Sequence, residues 1–209
     1  TDYQTKNIII STGSIPSSLS GVNINEKNIV SSTGALSFEN VPKDLVIIGG
    51  GYIGLEMGSV WKRLGSNVTV IEFFDHIIPG MDGDISNELL KILKKQGIVF
   101  KLNSKVISAE IKKNKTIVNV VNNDNSNKEV IEADKILVAV GRKPYTDGLN
   151  LNALDIQVND KGQILLSPIS LGLTSFIGMI ESSPKISFSL FAITNFLLII
   201  LLKLFKYPS

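Results

Sequence analysis

A glycine-rich turn at residues 49–54 constrains the fold more than any other part of this sequence. An uninterrupted apolar run, LVII at 45–48, comes directly before it and is typical of a strand buried on both faces of a parallel sheet. Gly49, Gly51 and Gly54 then give G-x-G-x-x-G, whose glycines permit a tight turn, close approach of a pyrophosphate and close packing of a helix. The free amides at the start of that helix can bind a phosphate. The segment therefore predicts a strand, a turn and a helix that receive a dinucleotide.

The helix after this turn has an apolar side with the spacing of a helix that packs on a sheet. The members of that side are Ile53, Met57, Val60 and Leu64. Gly58 lies one turn beyond Gly54 and extends the surface over which helix and sheet can approach closely. We expect this side to face the sheet.

A second strand at 68–71 ends at Glu72, which lies 18 residues after Gly54. At this position a dinucleotide-binding fold places the acid that accepts hydrogen bonds from the adenosine ribose. The residues that follow, at 73–76, include no Arg or Lys that could receive a 2′-phosphate. The pattern therefore predicts binding of NAD rather than NADP.

The composition excludes several classes of protein. The formal net charge is +2 and no cluster of Lys and Arg is interleaved with aromatic residues, so nucleic acid is not an expected partner. The absence of cysteine excludes a disulphide framework, a thiolate zinc site and a dithiol redox centre within this chain. The single histidine, His76, has no companion His or Cys, so we interpret it as a loop residue and predict no metal site. The N-terminus has no signal-peptide features and, beginning at Thr1, looks like an internal cut.

The remaining pattern completes a Rossmann-type α/β fold. Before the glycine turn we predict a first strand, a turn and a Ser/Asn-rich linker at 6–10, 11–16 and 17–44. A second amphipathic helix begins after an N-cap at Asp82 or Asp84 and ends before Gly97. Its predicted inward side consists of Ile85, Leu89, Ile92 and Gln96. A third strand at 98–102 completes a βαβαβ unit.

The periodicity changes after residue 105. Segments of alternating polarity, split by turns rich in Lys and Asn, predict a three-stranded antiparallel meander inserted on the parallel sheet at 106–111, 116–121 and 129–131. KILVAV at 135–140 is again a buried parallel strand, and it ends at Gly141. Open α/β sheets bind ligands at this edge, although Gly141 alone is equally consistent with a simple turn from strand to loop.

Together these segments resemble the pyridine nucleotide-disulphide oxidoreductases and, within that family, the dihydrolipoyl dehydrogenases. The resemblance covers about residues 3–165 and is carried by NIIISTGSIP, IVSSTGALSFENVPKDLVIIGGGYIGLEMGSVWKRLGSNVTVIEF, MDGDISNELLKILKKQGIVFKLNSKV and ILVAVGRKPYTDGLNL. It implies an oxidoreductase that passes electrons from dihydrolipoamide through a cysteine pair and FAD to NAD. It further implies a homodimer within 2-oxo acid dehydrogenase complexes and, for a bacterial member, a cytoplasmic location.

The resemblance also implies roles for individual residues. The NAD pyrophosphate loop and helix would consist of Gly49, Gly50, Gly51, Tyr52, Ile53, Gly54, Leu55 and Glu56. Glu72 would bind the adenosine ribose, Val106 would border the adenine and Gly141 would approach the nicotinamide. The residues expected to touch FAD are Thr12, Gly13 and Ser14. Glu56 reads from the sequence alone as a solvated charge, whereas the resemblance places it near the flavin, paired with a lysine whose segment is not in this chain.

In the family, the cysteine pair lies in an FAD domain that would precede Thr1, and a His–Glu base lies in an interface domain that would follow the chain. No catalytic residue is therefore predicted here, and we expect the isolated chain to bind nucleotide without activity. The expected regions are the end of an FAD-domain segment with a linker at 1–44, an NAD-binding domain at 45–141, a return segment at 142–165 and an aberrant apolar tail at 166–209.

The tail departs from the family pattern. Residues 186–205 are apolar over about 20 residues, a length that permits a membrane span. Thr194, Asn195 and Lys203 weaken that interpretation, so we favour an altered reading frame or a truncated gene over a membrane anchor. A stand-alone nucleotide-binding fragment, a pseudogene product and another disulphide reductase of the same family stay open as alternatives to the dihydrolipoyl dehydrogenase-like enzyme.

Overall fold

A computed structural model describes residues 3–113, 115–124 and 126–165. These residues divide into two compact units, with the boundary between residues 149 and 150. The elements in chain order are β1 (Ser14–Pro16), β2 (Ile29–Val30), α1 (Ser32–Leu36), β3 (Asp44–Ile48), α2 (Tyr52–Leu64), β4 (Asn67–Ile71), α3 (Gly83–Lys95), β5 (Val99–Lys101), β6 (Ser104–Lys112), β7 (Lys115–Asn122), β8 (Lys128–Ala133), β9 (Lys135–Val138), β10 (Arg142–Pro144) and a 3-10 helix (Leu151–Leu154).

The centre of the first unit is a five-stranded parallel sheet with the order β2-β9-β3-β4-β5. Both faces of β3 are buried, as its apolar run predicts. Leu45 and Ile47 pack with the helices on one face, and Val46 and Ile48 pack with the meander on the other. The predicted α/β class, with a parallel sheet and an inserted antiparallel meander, is confirmed.

The meander consists of β6, β7 and β8 in an antiparallel sheet, with a register shift between Val106 and Ser108. Buried residues alternate along β7, where Thr116, Val118 and Val120 face inward, and Val118 and Val120 pack against the parallel sheet. The meander therefore covers the face of the parallel sheet that the helices leave open.

Three sequence predictions near the N-terminus differ from the structure. Residues 6–10 form no strand, because no described strand lies beside them to accept their backbone hydrogen bonds. Residues 11–16, predicted to be a turn, contain β1, which pairs with β10. Residues 17–44, predicted to be a linker, contain β2 and α1, and Ala109 of the meander donates a backbone hydrogen bond of 3.0 Å to Gly21 within them.

The inward side of α2 also differs from its prediction. Val60 and Leu64 are exposed, whereas the buried residues are Gly54, Leu55, Met57, Gly58 and Trp61. The helix lies so close to the sheet that a Cβ at Gly58 would be 2.9 Å from Cδ1 of Ile47. The glycines thus set the centre of the packed face. That face includes the predicted Met57, with Ile53 packed at its edge, and is rotated away from Val60 and Leu64.

The predicted start and end of α3 are confirmed, but half of its inward side is wrong. Asp82 is the N-cap and its carboxylate accepts a hydrogen bond of 2.9 Å from the amide of Asp84, and Gly97 after the helix has φ +86°. Ile85 and Ile92 are exposed, whereas Ser86, Leu89, Leu90 and Leu93 turn inward. Ser86 can be buried because its hydroxyl donates to the carbonyl of Ile77 at 2.8 Å.

The described part of the second unit comprises the 3-10 helix and an antiparallel bridge between Val158 and Ile164. Among the described residues, no helix is both long and apolar enough to cross a membrane. The apolar segment at 186–205 lies outside the described residues.

Candidate functional site

The glycine turn joins the end of β3 to the start of α2. Gly49 has φ +109°, and a Cβ there would lie 2.4 Å from the carbonyl oxygen of Ala139. At Gly54 an added Cβ would lie 2.3 Å from the carbonyl oxygen of Gly49. Gly51, by contrast, has nothing within 4 Å of an added Cβ. Two glycines are therefore required by close packing, while the third leaves open space in front of the turn.

This open space lies at the N-terminus of α2. Gly51 is the N-cap residue and supplies no side chain to bond the first amides of the helix. The helix runs for 13 residues, so its dipole favours an anion at this end. The turn can therefore bind a phosphate through backbone amides.

Glu72 follows β4 and reaches back to the glycine turn. Its side chain is 6% exposed. One carboxylate oxygen accepts a hydrogen bond of 2.5 Å from the amide of Gly50, and the other accepts one of 3.0 Å from the amide of Phe74. The carbonyl of Gly50 accepts a hydrogen bond of 2.8 Å from the amide of Ile78. The amide and the carbonyl of Gly50 are therefore both hydrogen-bonded.

The sequence motif marked Glu72 as a ribose acceptor but did not indicate its contact with Gly50. That contact also explains the glycine at 50, because a Cβ there would lie 3.1 Å from the carboxylate oxygen. The spacing of the motif fixes the positions of strand ends, whereas the rotamer of a side chain depends on the folded surroundings.

The remaining predicted residues of α2 divide between surface and core. Tyr52 is exposed, Ile53 is half-buried against the core and Leu55 is buried in it. Glu56 is partly buried, and burial raises the pKa of its carboxyl above the usual range. No described residue gives this carboxylate a hydrogen bond or an ion pair.

Val106 and Gly141 lie at different depths. Val106 on β6 is only 7% exposed and belongs to the core between the sheet and the meander. Gly141 follows β9, has φ +121°, and its carbonyl accepts a hydrogen bond of 2.9 Å from the amide of Ser17. Because β9 pairs with β3, Gly141 follows the strand next to the one that carries the glycine turn.

The structure brings Thr12, Gly13 and Ser14 against the segment that follows Gly141. The amide of Tyr145 donates to the carbonyl of Gly13 at 2.9 Å, and the hydroxyl of Thr12 donates to the carbonyl of Tyr145. The guanidinium of Arg142 donates from Nε to the hydroxyl oxygen of Ser14 at 2.7 Å. Strands β1 and β10 pair here as a two-stranded antiparallel ribbon. The sequence did not predict this ribbon, because each strand has only three residues and no usable periodicity.

The described residues contain no group of three or more His, Cys, Asp and Glu side chains arranged to hold a metal. His76 lies in the loop after β4, where its Nδ1 is 2.6 Å from the carboxylate of Asp75. This hydrogen bond lowers the pKa of Asp75.

Comparison with models of protein families shows the family to which this chain belongs. The model of the family described as pyridine nucleotide-disulphide oxidoreductase matches residues 1–168. The chain belongs to this family. The match includes the glycine turn, Glu72, the meander and the ribbon, and the family is one of flavoprotein oxidoreductases that use a pyridine nucleotide.

Curated relatives include several dihydrolipoyl dehydrogenases and a leghemoglobin reductase of Glycine max, which is 49% identical over 162 residues. The dihydrolipoamide dehydrogenase of Chaetomium thermophilum is 51% identical over 162 residues, which are 77% of this chain and 32% of the relative. Dihydrolipoyl dehydrogenase 3 of Pseudomonas putida is 46% identical over 189 residues, which are 90% of this chain and 41% of the relative. The 189-residue alignment is longer than residues 1–165, so it extends into the apolar tail. The chain spans about a third of the length of the first of these relatives.

A solved structure gives the same fold. The HOCl-induced flavoprotein disulfide reductase RclA from Escherichia coli superposes with a TM-score of 0.67 at 31% identity. The superposition covers 75% of this chain and 35% of that chain.

Proposed function

We propose that this chain supplies the NAD site of a dihydrolipoyl dehydrogenase-like flavoprotein. The observation that carries the proposal is the joint arrangement of the open glycine turn and the buried carboxylate of Glu72 at the carboxyl edge of a parallel sheet. Nucleotides bind at this edge in α/β folds. The identity of 46–51% to dihydrolipoyl dehydrogenases supports this choice among the members of the family.

In this proposal the backbone amides at Gly51 and at the start of α2 hold the pyrophosphate, and Glu72 accepts hydrogen bonds from the adenosine ribose. Gly141 lies on the nicotinamide side. The remaining residues of 49–56 shape the turn and its helix, and Val106 borders the adenine. Bound NAD supplies the hydride acceptor of the reaction.

The partial FAD site consists of Thr12, Gly13 and Ser14, held by the ribbon to the segment after Gly141. We propose that the unpartnered carboxylate of Glu56 faces the flavin side, where a cation from another segment of the full protein pairs with it. This arrangement accounts for a partly desolvated charge that has no partner among the described residues.

The overall reaction of the full protein would oxidise dihydrolipoamide and reduce NAD, with FAD as the intermediate carrier. The 209 residues contain no cysteine, so they cannot supply the dithiol that such a reaction needs. We propose that the isolated chain binds NAD and is catalytically inactive. A homodimer within 2-oxo acid dehydrogenase complexes, a cytoplasmic location and the region boundaries at 44, 141 and 165 also remain proposals.

Two alternatives have support of their own. A different disulphide reductase of the family is favoured by the 31% identity to the Escherichia coli flavoprotein disulfide reductase. A stand-alone nucleotide-binding fragment, or a pseudogene product, stays open because the glycine turn and Glu72 come together within this chain without any other segment. For residues 166–209 we propose an altered reading frame or a truncated gene, with a membrane anchor as the alternative.

Calorimetric titration of the 209-residue chain with NADH and NADPH at the same salt concentration tests the NAD site. We expect NADH to bind at least about tenfold more tightly, a difference of about 1.4 kcal/mol, because Glu72 accepts ribose hydroxyls and repels a 2′-phosphate. Glu72→Ala should abolish this preference. Circular dichroism must show that each protein is folded, and a folded parent chain that binds neither nucleotide would contradict the proposal.

A further inference from the structure

One face of the meander is turned away from the parallel sheet. Thr116, Val118 and Val120 of β7 point inward, so the residues that alternate with them point outward. The registers of β6 and β8 against β7 place nine outward residues in three rows across the strands. We call them the outer face of the meander. Its rows are Lys105, Val121 and Lys128; then Ser108, Asn119 and Val130; then Glu110, Ile117 and Glu132.

The charges of the outer face are separated between its two ends. The first row carries two lysines and the third row carries two glutamates, and all four side chains are exposed. Among the described residues, Lys105, Lys128 and Glu132 form no ion pair. Glu110 contacts the ammonium of Lys112 at 2.7 Å, towards the end of β6. The face therefore has a positive end and a negative end, with an uncharged row between them.

The middle row has groups that can pair with copies of themselves. Val130 is 62% exposed. The side-chain amide of Asn119 donates a hydrogen bond of 2.9 Å to the hydroxyl of Ser108. Within the described part of the chain, nothing donates to the side-chain oxygen of Asn119. Two asparagines that face each other can exchange a pair of amide hydrogen bonds, because each then offers one N–H and one oxygen.

We propose that the outer face of the meander binds the outer face of a second copy of this chain. A twofold axis along the middle row turns the strands of the second copy end for end. Lys105 then lies opposite Glu110 of the second copy, and Lys128 lies opposite Glu132. Each contact occurs twice, as in any isologous interface. Without the reversal, lysine would face lysine, so the charges select one orientation.

The contact brings two sheets face to face, an arrangement in which strand directions stay within about 30° of each other. On the twofold axis, Val130 meets Val130 and Asn119 meets Asn119 of the second copy. The apolar area is small and exposed ion pairs add little affinity, so we expect a weak dimer whose orientation is set by charge. This contact is independent of the proposed NAD site, because the outer face points away from the parallel sheet that carries the glycine turn.

Sedimentation equilibrium of the 209-residue chain over a range of concentrations tests the dimer. We expect the parent to show a monomer–dimer equilibrium. Val130→Lys places two ammonium groups on the twofold axis and should raise the dissociation constant at least about tenfold. Val60→Lys is the matched control, because Val60 is a 48% exposed valine on α2, which packs on the other face of the parallel sheet. It should leave the dissociation constant unchanged.

An exchange of charges tests the orientation. Lys128→Glu places a carboxylate opposite Glu132 of the second copy and should weaken association about threefold to tenfold at low salt. Adding Glu132→Lys to that variant exchanges the two charges and restores opposite signs across the interface. The double variant should therefore associate within about twofold of the parent. High salt should reduce the difference between the parent and Lys128→Glu, because it screens exposed charges.

Carbodiimide cross-linking of a mixture of unlabelled and isotope-labelled chains detects the contact itself. Lys128 and Glu132 lie four residues apart on β8, about 13 Å along the strand, which is too far for a zero-length link within one chain. We expect Lys128–Glu132 links that join a labelled peptide to an unlabelled one. Lys101 and Glu129 are in contact at 2.7 Å and provide the internal control, because they should link within one chain.

Three results would overturn the inference. The first is a folded parent that stays monomeric at concentrations up to about 1 mM. The second is association that both Val130→Lys and Lys128→Glu leave unchanged, because another surface, or the apolar segment at 186–205, would then hold the copies together. The third is a parent that associates without forming the mixed Lys128–Glu132 link. Circular dichroism must show that each variant is folded.

Discussion

The two ends of the parallel sheet use their polar residues differently. At the amino end, Asp134 contacts the ammonium of Lys115 at 2.5 Å and accepts a hydrogen bond of 3.0 Å from the amide of Asp44. Asn67 donates to the carboxylate of Asp44 at 3.0 Å. At the carboxyl end, Gly51 leaves the first amides of α2 uncapped and Glu56 carries a carboxylate with no partner among the described residues.

The paired groups at the amino end and the unpaired groups at the carboxyl end should contribute differently to the stability of the fold. Charges at the amino end are matched within the chain, so they stabilise the junction of the meander and the sheet. At the carboxyl end Glu72 is bonded to Gly50 and Phe74, but the first amides of α2 have no side-chain cap and the partly buried carboxylate of Glu56 has no partner among the described residues. Changes at the two ends should therefore have different consequences for unfolding and for binding.

The largest expected effect comes from Gly49→Ala at the carboxyl end. The new Cβ would press on the carbonyl of Ala139, and the positive φ adds strain, so the free energy of unfolding should fall by about 4 kcal/mol. Gly65→Ala is the matched control, because Gly65 has φ +112° but open space around an added Cβ. It should cost only about 1–2 kcal/mol.

Urea denaturation followed by circular dichroism measures both variants. Equal losses would show that backbone strain alone explains the cost at Gly49 and that its close contact with Ala139 contributes nothing.

A smaller effect is expected from Asp134→Asn at the amino end. The hydrogen bond from Lys115 is the main cause that lowers the pKa of Asp134 below its ordinary value, and the amide of Asp44 adds to it. The stabilisation is present above the ordinary pKa of about 4 and is lost as the pH falls through the lowered pKa of the folded state. The difference in unfolding free energy between parent and variant should be below about 1 kcal/mol, because solvent screens the pair.

Denaturant titrations between pH 7 and pH 3 test that pH dependence. The parent's advantage over Asp134→Asn should shrink at low pH. An advantage that is constant over this range would show that the carboxylate charge does not contribute at the amino end.

The smallest effect, with the opposite pH dependence, is expected from Glu56→Gln. Burial raises the pKa of Glu56, so its ionised form costs stability as the pH rises above the ordinary carboxyl value. Glu56→Gln should therefore raise the midpoint of urea unfolding slightly at pH 7 and leave it unchanged at acid pH. A lower midpoint at pH 7 would mean that the carboxylate is stabilised by the chain after all.

Sequence reasoning was most successful where a local rule has a single structural solution. The apolar run before Gly49, the cap at Asp82 and the alternation in the meander each specify an element without information from distant residues. The glycine pattern also located Glu72 at the end of the next strand. These features account for the sheet, its helices and the position of the candidate site.

The predictions that failed depend on distant partners. The two residues of β2 have no periodicity of their own and form a strand because Ile29 and Val30 pair with β9, more than a hundred residues later. Residues 6–10 have the composition of a strand but no partner within the described residues. Val60 and Leu64 of α2 and Ile85 and Ile92 of α3 were wrongly placed inward, because the rotation of a helix is set by its closest packing contact rather than by the spacing of its apolar residues alone.

The position of β3 in the sheet has a consequence for synthesis on the ribosome. Leu45 pairs with Lys135, 90 residues later, and Gly49 packs on Ala139 beyond that strand. The nascent chain can form α2 and pair β3 with β4 early. Ala139, on which Gly49 packs, is synthesised only after β9. The packing around the glycine turn should therefore be completed late in translation, after the whole meander has emerged.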